Sequence, residues 1–441
     1  MGNQGRNGLG RAIPNFRYSR RGVLKSGLAA SLGAGALSTI PAVGASASRQ
    51  DVSGSLRMWV YPLIGEVGRD EEMWAEILEG FSEEYPDIDV NVEIQPWDRR
   101  VAKLSTAFAA GVGPDVWYVN IEDIPNHAES GRLVPVTDLL SDEEKDDYFE
   151  QALTGLSYKD ELYALPILMT TLSTCYNTDV FEQAGVSEFP WTWDGMLEAG
   201  PSFKEQGLYL TTYEAADPQA NFYPLLWQAG GEAFSEDGSP AFNSPEGVEA
   251  LSFAVTLVQE GYSPESATSA ERIPITETAL GQGEVAVGLS TSGSALRQLS
   301  EAWGDGVLEV GQPLMHKEQV AGGGVAGYGI SGEAEDKDAA TAWVQYITSP
   351  EITTAINEAS GYLAPRQSIE GIHADDPILG EVENQLQYVR TWPSLLGGRQ
   401  IVEDALAPEI QAAVLGQKSA QQALDDAAAR ASDIINATAA E

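Results

Sequence analysis

Beyond residue 50 the chain alternates between two kinds of apolar spacing. Residues 55–62, SLRMWVYP, form a short apolar run that predicts a strand. Residues 73–86, MWAEILEGFSEEYP, space their apolar side chains at helical intervals, and residues 87–96, DIDVNVEIQP, alternate with period two as a second strand does. A helix over 99–114 is closed by Gly111 and Gly113, and DVWYVN at 115–120 reads as a short buried strand. Strand patterns return at 209–215, 284–290 and 307–313. Strands alternating with helices imply parallel sheets and an α/β fold. Residues 407–439 are helical, broken at Gly416, with Ala, Leu and Ile on one face. No internal repeat or long linker interrupts the pattern. The roughly 390 residues after the first fifty are too many for one core and fit two domains.

Charge separates the first fifty residues from the rest. They hold seven basic residues and no carboxylate, whereas from Asp51 onward 18 basic residues face 66 acidic ones. A basic start, a weak apolar run rich in Ala, Gly, Ser and Leu, and the small residues Ala45-Ser46-Ala47 read as an export leader over 1–47, cut near Ala47. Arg20-Arg21 followed by Gly22-Val23-Leu24-Lys25 is the twin-arginine pattern. Pro41 and the glycines make the run too weak for a stable membrane span. The expected location is therefore extracellular, associated with the cell surface.

The acidic, Lys-poor remainder would repel a phosphate backbone, which excludes a general nucleic-acid binder. It suits a high-salt habitat, such as that of a halophilic archaeon. Cys175 is the only cysteine, so the chain forms no internal disulfide, no cysteine metal cluster and no lipidated N-terminal Cys.

The ordered segments AFAAGVGPDVWYVN (107–120), SGRLVPVTDLL (130–140), ELYALPILMTTLSTCYNTDVFEQAGVSEFPWTWDGML (161–197), LGQGEVAVGLS (280–290), GGGVAGYGIS (322–331), GYLAPRQS (361–368) and GQKSAQQALDDAAARASDII (416–435) resemble one family. They are similar to the extracellular solute-binding proteins of ABC importers, in the sugar-binding, maltose-binding-protein-like group. The resemblance covers nearly all of the chain after the leader. It implies a type II periplasmic-binding-protein-like α/β fold with two hinge-linked lobes and a ligand cleft between them. The implied lobes are 51–164 plus 314–361, and 167–310 plus 364–441, with a first crossover where a strand ends at Pro166. It further implies a sugar ligand, membrane permease subunits as partners, and no cofactor.

A sugar site needs apolar ring faces for the pyranose C–H surface and polar side chains for its hydroxyls. At strand ends and loops on the cleft side, the candidates in the first lobe are Trp59, Tyr61, Glu66, Trp97 beside Asp98, and Asn120. The family resemblance places a hydroxyl-binding acid near Glu66 and a ligand-facing polar side chain at Asn120. In the second lobe the candidates are Trp227 as a stacking ring, Ser292 within GLSTSGSAL, and Trp392 with Arg390, which matches a family position that reaches the ligand. The run 321–331, AGGGVAGYGIS, would bring the amides of Gly323 and Gly324 near the ligand, as only Gly permits. Asn177 and Asp179 are read as turn formers, Thr192 as a helix cap, and Arg366 as a surface ion pair.

No catalytic or metal-binding residue is assigned. His127, His316 and His373 lie far apart, and neither a His-Glu-x-x-His nor a Gly-x-Ser-x-Gly motif occurs. The glycine run lacks the Lys-Ser/Thr ending of a phosphate loop. The alternatives are an exported glycoside hydrolase, or a binder of glycerol phosphate or another polyol.

Overall fold

The computed structural model describes residues 52–64, 68–97, 99–235, 237–269, 273–369 and 371–438. The leader, with its twin-arginine segment, lies outside the described residues, as do Glu66 and Asp98.

The first sheet begins as the spacing predicts. Strand β1 (Gly54–Val60) pairs in parallel with β2 (Ile88–Ile94) along its whole length and with β3 (Val116–Asn120) on its other side. Helices α1 (Arg69–Glu84) and α2 (Arg100–Ala109) make the two crossovers. The first starts four residues before the apolar pattern does. Its opening turn carries Asp70, Glu71 and Glu72, acids that suit the positive end of the helix dipole but hide the start from an apolar count. The carboxylate of Asp70 also folds back to accept from the Leu63 N–H at 2.7 Å.

A long strand, Ala321–Ile330, returns antiparallel to β3, and it in turn pairs with Leu165–Thr171 and with Val389–Thr391. A second sheet is built from Leu308–Gly311, Ser173–Asn177, Val285–Thr291 and Tyr209–Thr211 in that order. Only Leu172 separates the strand Leu165–Thr171 of the first sheet from Ser173–Asn177 of the second, so the chain passes from one sheet to the other there.

Two buried clusters form the core, and the second sheet contributes to both: Cys175 and Val285 join the first, Ala286 and Val287 the second. Trp74, Trp117, Tyr328 and Trp343 are buried in the first, and Phe203, Phe222, Trp227 and Phe242 in the second. Burying each such ring contributes roughly 2–3 kcal/mol. The C-terminal helices Ala407–Val414 and Ala420–Thr438 pack on the second core, separated by Gly416 at φ +73°, a left-handed turn that suits Gly.

Two local readings are corrected. The strand does not end at Pro166 but runs from Leu165 to Thr171. The ladder tolerates the missing N–H because Pro166 is the strand's second residue and the register slips opposite it, between Ala326 and Gly327. Arg366 forms an ion pair, but not at the surface: it is 3% exposed, and its guanidinium lies 3.0 Å from Asp147 and over the Tyr148 ring at 3.9 Å. The readings of Asn177 and Thr192 fit the side-chain bonds, Asn177 accepting from the Val180 N–H and Thr192 from the Gly195 N–H, each capping a helix, while Asp179 lies in the first turn of helix Thr178–Ala184.

Candidate functional site: a cleft where the two sheets exchange strands

Strand β3 ends at Asn120 and turns at once into a single 3-10 turn, Ile121–Asp123. By strand alternation Tyr118 and Asn120 share one face, while Trp117 packs on the other against Phe108 of α2. The end of β3 therefore carries the buried Tyr118, then the half-buried Asn120 and Glu122. These three line a cleft of about 160 Å3 together with Thr170, Gly324 and Trp392. The cleft thus takes its walls from β3, from the strand that leaves the first sheet, and from the segment after Val389–Thr391.

An aromatic corner stands beside it. Tyr61 stacks on Trp97 with centroids 4.7 Å apart, and Tyr118 meets both edge-on at 5.9 and 5.6 Å. The Trp97 indole N–H donates to the Pro62 carbonyl at 2.9 Å, which fixes the ring while leaving it 39% exposed. Burial pushes the Tyr61 and Tyr118 hydroxyls above their ordinary range, so both remain neutral donors.

The polar side of the cleft is a charge network. Arg100, at the start of α2, donates to Asp123 at 2.7 Å and Glu122 at 3.2 Å. With its carbonyl turned toward that guanidinium, Asn120 accepts from Nη2 at 2.6 Å. Arg399 reaches Glu122 at 3.1 Å and Asp123 at 3.6 Å. Burial and the neighbouring Asp123 raise the Glu122 carboxyl, against the pull of Arg100 and Arg399. Arg399 also meets Glu403 at 3.7 Å, so the two guanidiniums face three carboxylates and neither cation is left uncompensated.

On the other wall Trp392 stacks on the buried Trp227, centroids 5.9 Å apart and planes 21° apart. The glycine run explains how this ring fits. A Cβ on Gly322 would lie 2.3 Å from the Trp392 ring, and one on Gly323 2.3 Å from the Thr170 carbonyl oxygen. A water-sized cavity of about 20 Å3 adjoins the same strand, lined among others by Thr174, Tyr213, Asn221, Gln228 and Ser290.

Of the sequence candidates, the structure brings Tyr61, Trp97, Asn120, Gly324 and Trp392 to this region, with Trp227 as the support under Trp392. Four others sit differently. Trp59 is 6% exposed and packs beneath α2, with Lys103 Nζ 5.7 Å from its ring centre. The Ser292 hydroxyl caps helix Gly293–Trp303 by accepting from the Ala295 N–H at 3.3 Å. Arg390 is drawn onto the Trp227 ring at 4.9 Å and paired with Glu232. Gly323 serves strand packing, and the Gly324 amide donates to Thr170 Oγ1 at 3.0 Å instead of standing free. Sequence reasoning missed Arg100, Glu122, Asp123, Thr170 and Arg399. The end of β3 signalled Glu122, two residues past Asn120; nothing local signals Arg399.

Two cores joined by exchanged strands, with an aromatic and polar cleft at the exchange, define a two-lobed α/β solute-binding protein. The chain belongs to the bacterial extracellular solute-binding protein family, whose model matches residues 66–354. A binding protein of Brucella abortus is 24% identical over 396 residues, covering 87% of this chain and 94% of its own. The maltotriose-binding protein of Pyrococcus abyssi is 25% identical over 342 residues, 75% of this chain and 69% of its own. The crystal structure of the cyclic alpha-maltosyl-1,6-maltose binding protein from Arthrobacter globiformis superposes with a TM-score of 0.75 at 21% identity, over 87% of this chain and 99% of that one. The fold is therefore the type II two-lobed fold that the sequence resemblance implied.

Proposed function

We propose that this chain is the substrate-binding component of an ABC importer, which captures a neutral sugar between its lobes and hands it unaltered to permease subunits in the membrane. The observation that carries this reading is the cleft itself, where the half-buried Trp392 lines the walls with Asn120, Glu122 and Thr170, and the exposed Trp97 packs on Tyr118 of the same lining. Indole faces suit the C–H surface of a pyranose, and the amide, carboxylate and hydroxyl suit its hydroxyls. The lobes are taken as 51–164 plus 314–361 and 167–310 plus 364–441, and closure between them would bury the ligand.

A hydrolase would need one protonated and one free carboxylate across the ligand. Glu122 and Asp123 are instead adjacent in the chain and both held by Arg100, an arrangement that fits binding without turnover. A phosphorylated polyol would need an uncompensated cation, whereas Arg100 and Arg399 are each matched by carboxylates. The maltotriose-binding relative favours an oligosaccharide. Among the described residues no helix is long and apolar enough to cross a membrane, and the basic leader would route the chain out by the twin-arginine system, in keeping with an extracellular, salt-adapted protein. Calorimetric titration in high salt with maltotriose, arabino-oligosaccharides and mannitol tests the reading. Saturable binding with no product supports it; cleavage of any glycoside would replace it with the hydrolase.

A further inference from the structure

Glu122 and Asp123 close strand β3 and belong with the first core, where Ile121 beside them is buried. Arg399 belongs elsewhere. It lies in the short helix Gly398–Gln400, which runs directly into Ile401–Leu406, and Ile401, Ala405 and Leu406 are buried in the second core. Yet Nη2 of Arg399 is 3.1 Å from Glu122 Oε1, the same oxygen that accepts from Arg100 Nη2 at 3.2 Å. One carboxylate oxygen of the cleft wall is thus shared by a guanidinium from each lobe. Beside it the Ser394 hydroxyl donates to the Ile121 carbonyl at 3.1 Å. Within this network Arg100, Glu122 and Asp123 are less than a fifth exposed.

The geometry points to Arg399 as a positioning residue for ligand capture: from the opposite lobe it clamps Glu122 in the cleft wall and favours the closed arrangement of the lobes. This inference rests on the binding reading above. Its physical basis is charge balance. Separating the lobes leaves Glu122 and Asp123 against Arg100 alone, an excess negative charge in a partly buried position on an already acidic molecule, while Arg399 keeps only the more exposed Glu403 of its own segment. Such a position is screened less by salt than an exposed pair is, and losing one partner of a buried ion pair is costly. Coupling of this kind is worth about fivefold or more in a binding or conformational equilibrium.

The test uses solution scattering of the unliganded chain, so that failure to find the right sugar does not bear on it. Arg399→Gln is expected to raise the radius of gyration while the helical circular dichroism stays unchanged, and Arg399→Lys, which restores the charge without the fork, to recover part of the compactness. Glu403→Gln removes only the partner of Arg399 within its own helical segment and is expected to leave the radius unchanged. Should Arg399→Gln disturb the helices, the double variant Glu122→Gln/Asp123→Asn reads the same clamp from the other lobe and is expected to open it. An unchanged radius in folded Arg399→Gln, an unchanged radius in the double variant, or equal opening by Glu403→Gln overturns the inference.

Discussion

Trp392 lies on Trp227 with ring centroids 5.9 Å apart and planes 21° apart, but the two rings do different work. Trp227 is 1% exposed within the second core, whereas Trp392 is half-buried and touches both cores. Trp392→Ala is therefore expected to weaken sugar binding about tenfold, for the loss of a stacking face, with a small change in melting temperature. Trp227→Ala is expected to destabilise the fold by about 3–5 kcal/mol through the cavity it leaves. Thermal melts and sugar titrations of both variants separate the two roles. A large loss of stability in Trp392→Ala would mean that it serves the core instead.

Asn120 and Arg390 make a second contrast. Asn120 accepts from Arg100 and lines the cleft, so Asn120→Ala removes an amide from the cleft wall and leaves the Arg100 guanidinium short of one partner. A loss of about 1–3 kcal/mol in binding, roughly 5- to 150-fold in affinity, is expected. Arg390 is paired with Glu232, and both side chains are substantially exposed. Exposed pairs contribute about 0–1 kcal/mol, so Arg390→Ala is expected to leave affinity within about fivefold. Titration of both with one sugar decides; equal losses would place Arg390 back in the site.

The glycines of the long strand divide similarly. A Cβ on Gly323 would stand 2.3 Å from the Thr170 carbonyl oxygen, a backbone atom that cannot move aside without breaking the pairing of Ala321–Ile330 with Leu165–Thr171. Overpacking of this kind costs about 1–3 kcal/mol. The nearest atoms to a Cβ on Gly324 would be Thr170 Oγ1 at 3.2 Å and the Trp392 ring at 3.5 Å, and both side chains can shift. Denaturant unfolding should show Gly323→Ala clearly destabilised, while Gly324→Ala keeps its stability and loses affinity because it crowds the cleft.

Much of the fold was legible because burial imposes spacing. β1, β2 and β3 fall where the apolar runs lie, and Gly416 stops a helix where its φ of +73° favours Gly. The start of α1 was hidden because the acids that favour a helix N-terminus carry no apolar signal. Strand ends also gave part of the site, since β3 carries Asn120 to the cleft. Trp59 shows the limit of that rule. It stands two residues before Tyr61 near the same strand end, but α2 covers it. Ser292 carried a polar side chain to a strand end for a different reason, to cap the helix that follows. The Arg399 clamp joins residues nearly three hundred positions apart, and only the exchange of strands between the sheets brings them together.

The buried ion pair at Arg366 gives the fold a pH dependence of defined sign. Burial alone would raise the Asp147 carboxyl. The Ser368 hydroxyl and N–H, both at 2.9 Å, and the Arg366 guanidinium at 3.0 Å outweigh it and hold the group below the usual carboxylate range. A carboxyl whose folded value is depressed stabilises the protein above its unfolded value, near 4, and loses that contribution as pH falls through the folded value. The partner cannot simply relax. Arg366 also donates to the Thr348 carbonyl at 2.9 Å and lies over Tyr148. Asp147→Asn is therefore expected to cost about 3–5 kcal/mol at pH 7, because it leaves a buried guanidinium without its counter-charge. Melts from pH 7 down to pH 3 check the sign: the gap between parent and variant should hold above about pH 5 and narrow below about pH 4 as Asp147 takes up its proton. A gap that widens on acidification would show that Asp147 is held above the usual range, with burial outweighing Arg366 and Ser368.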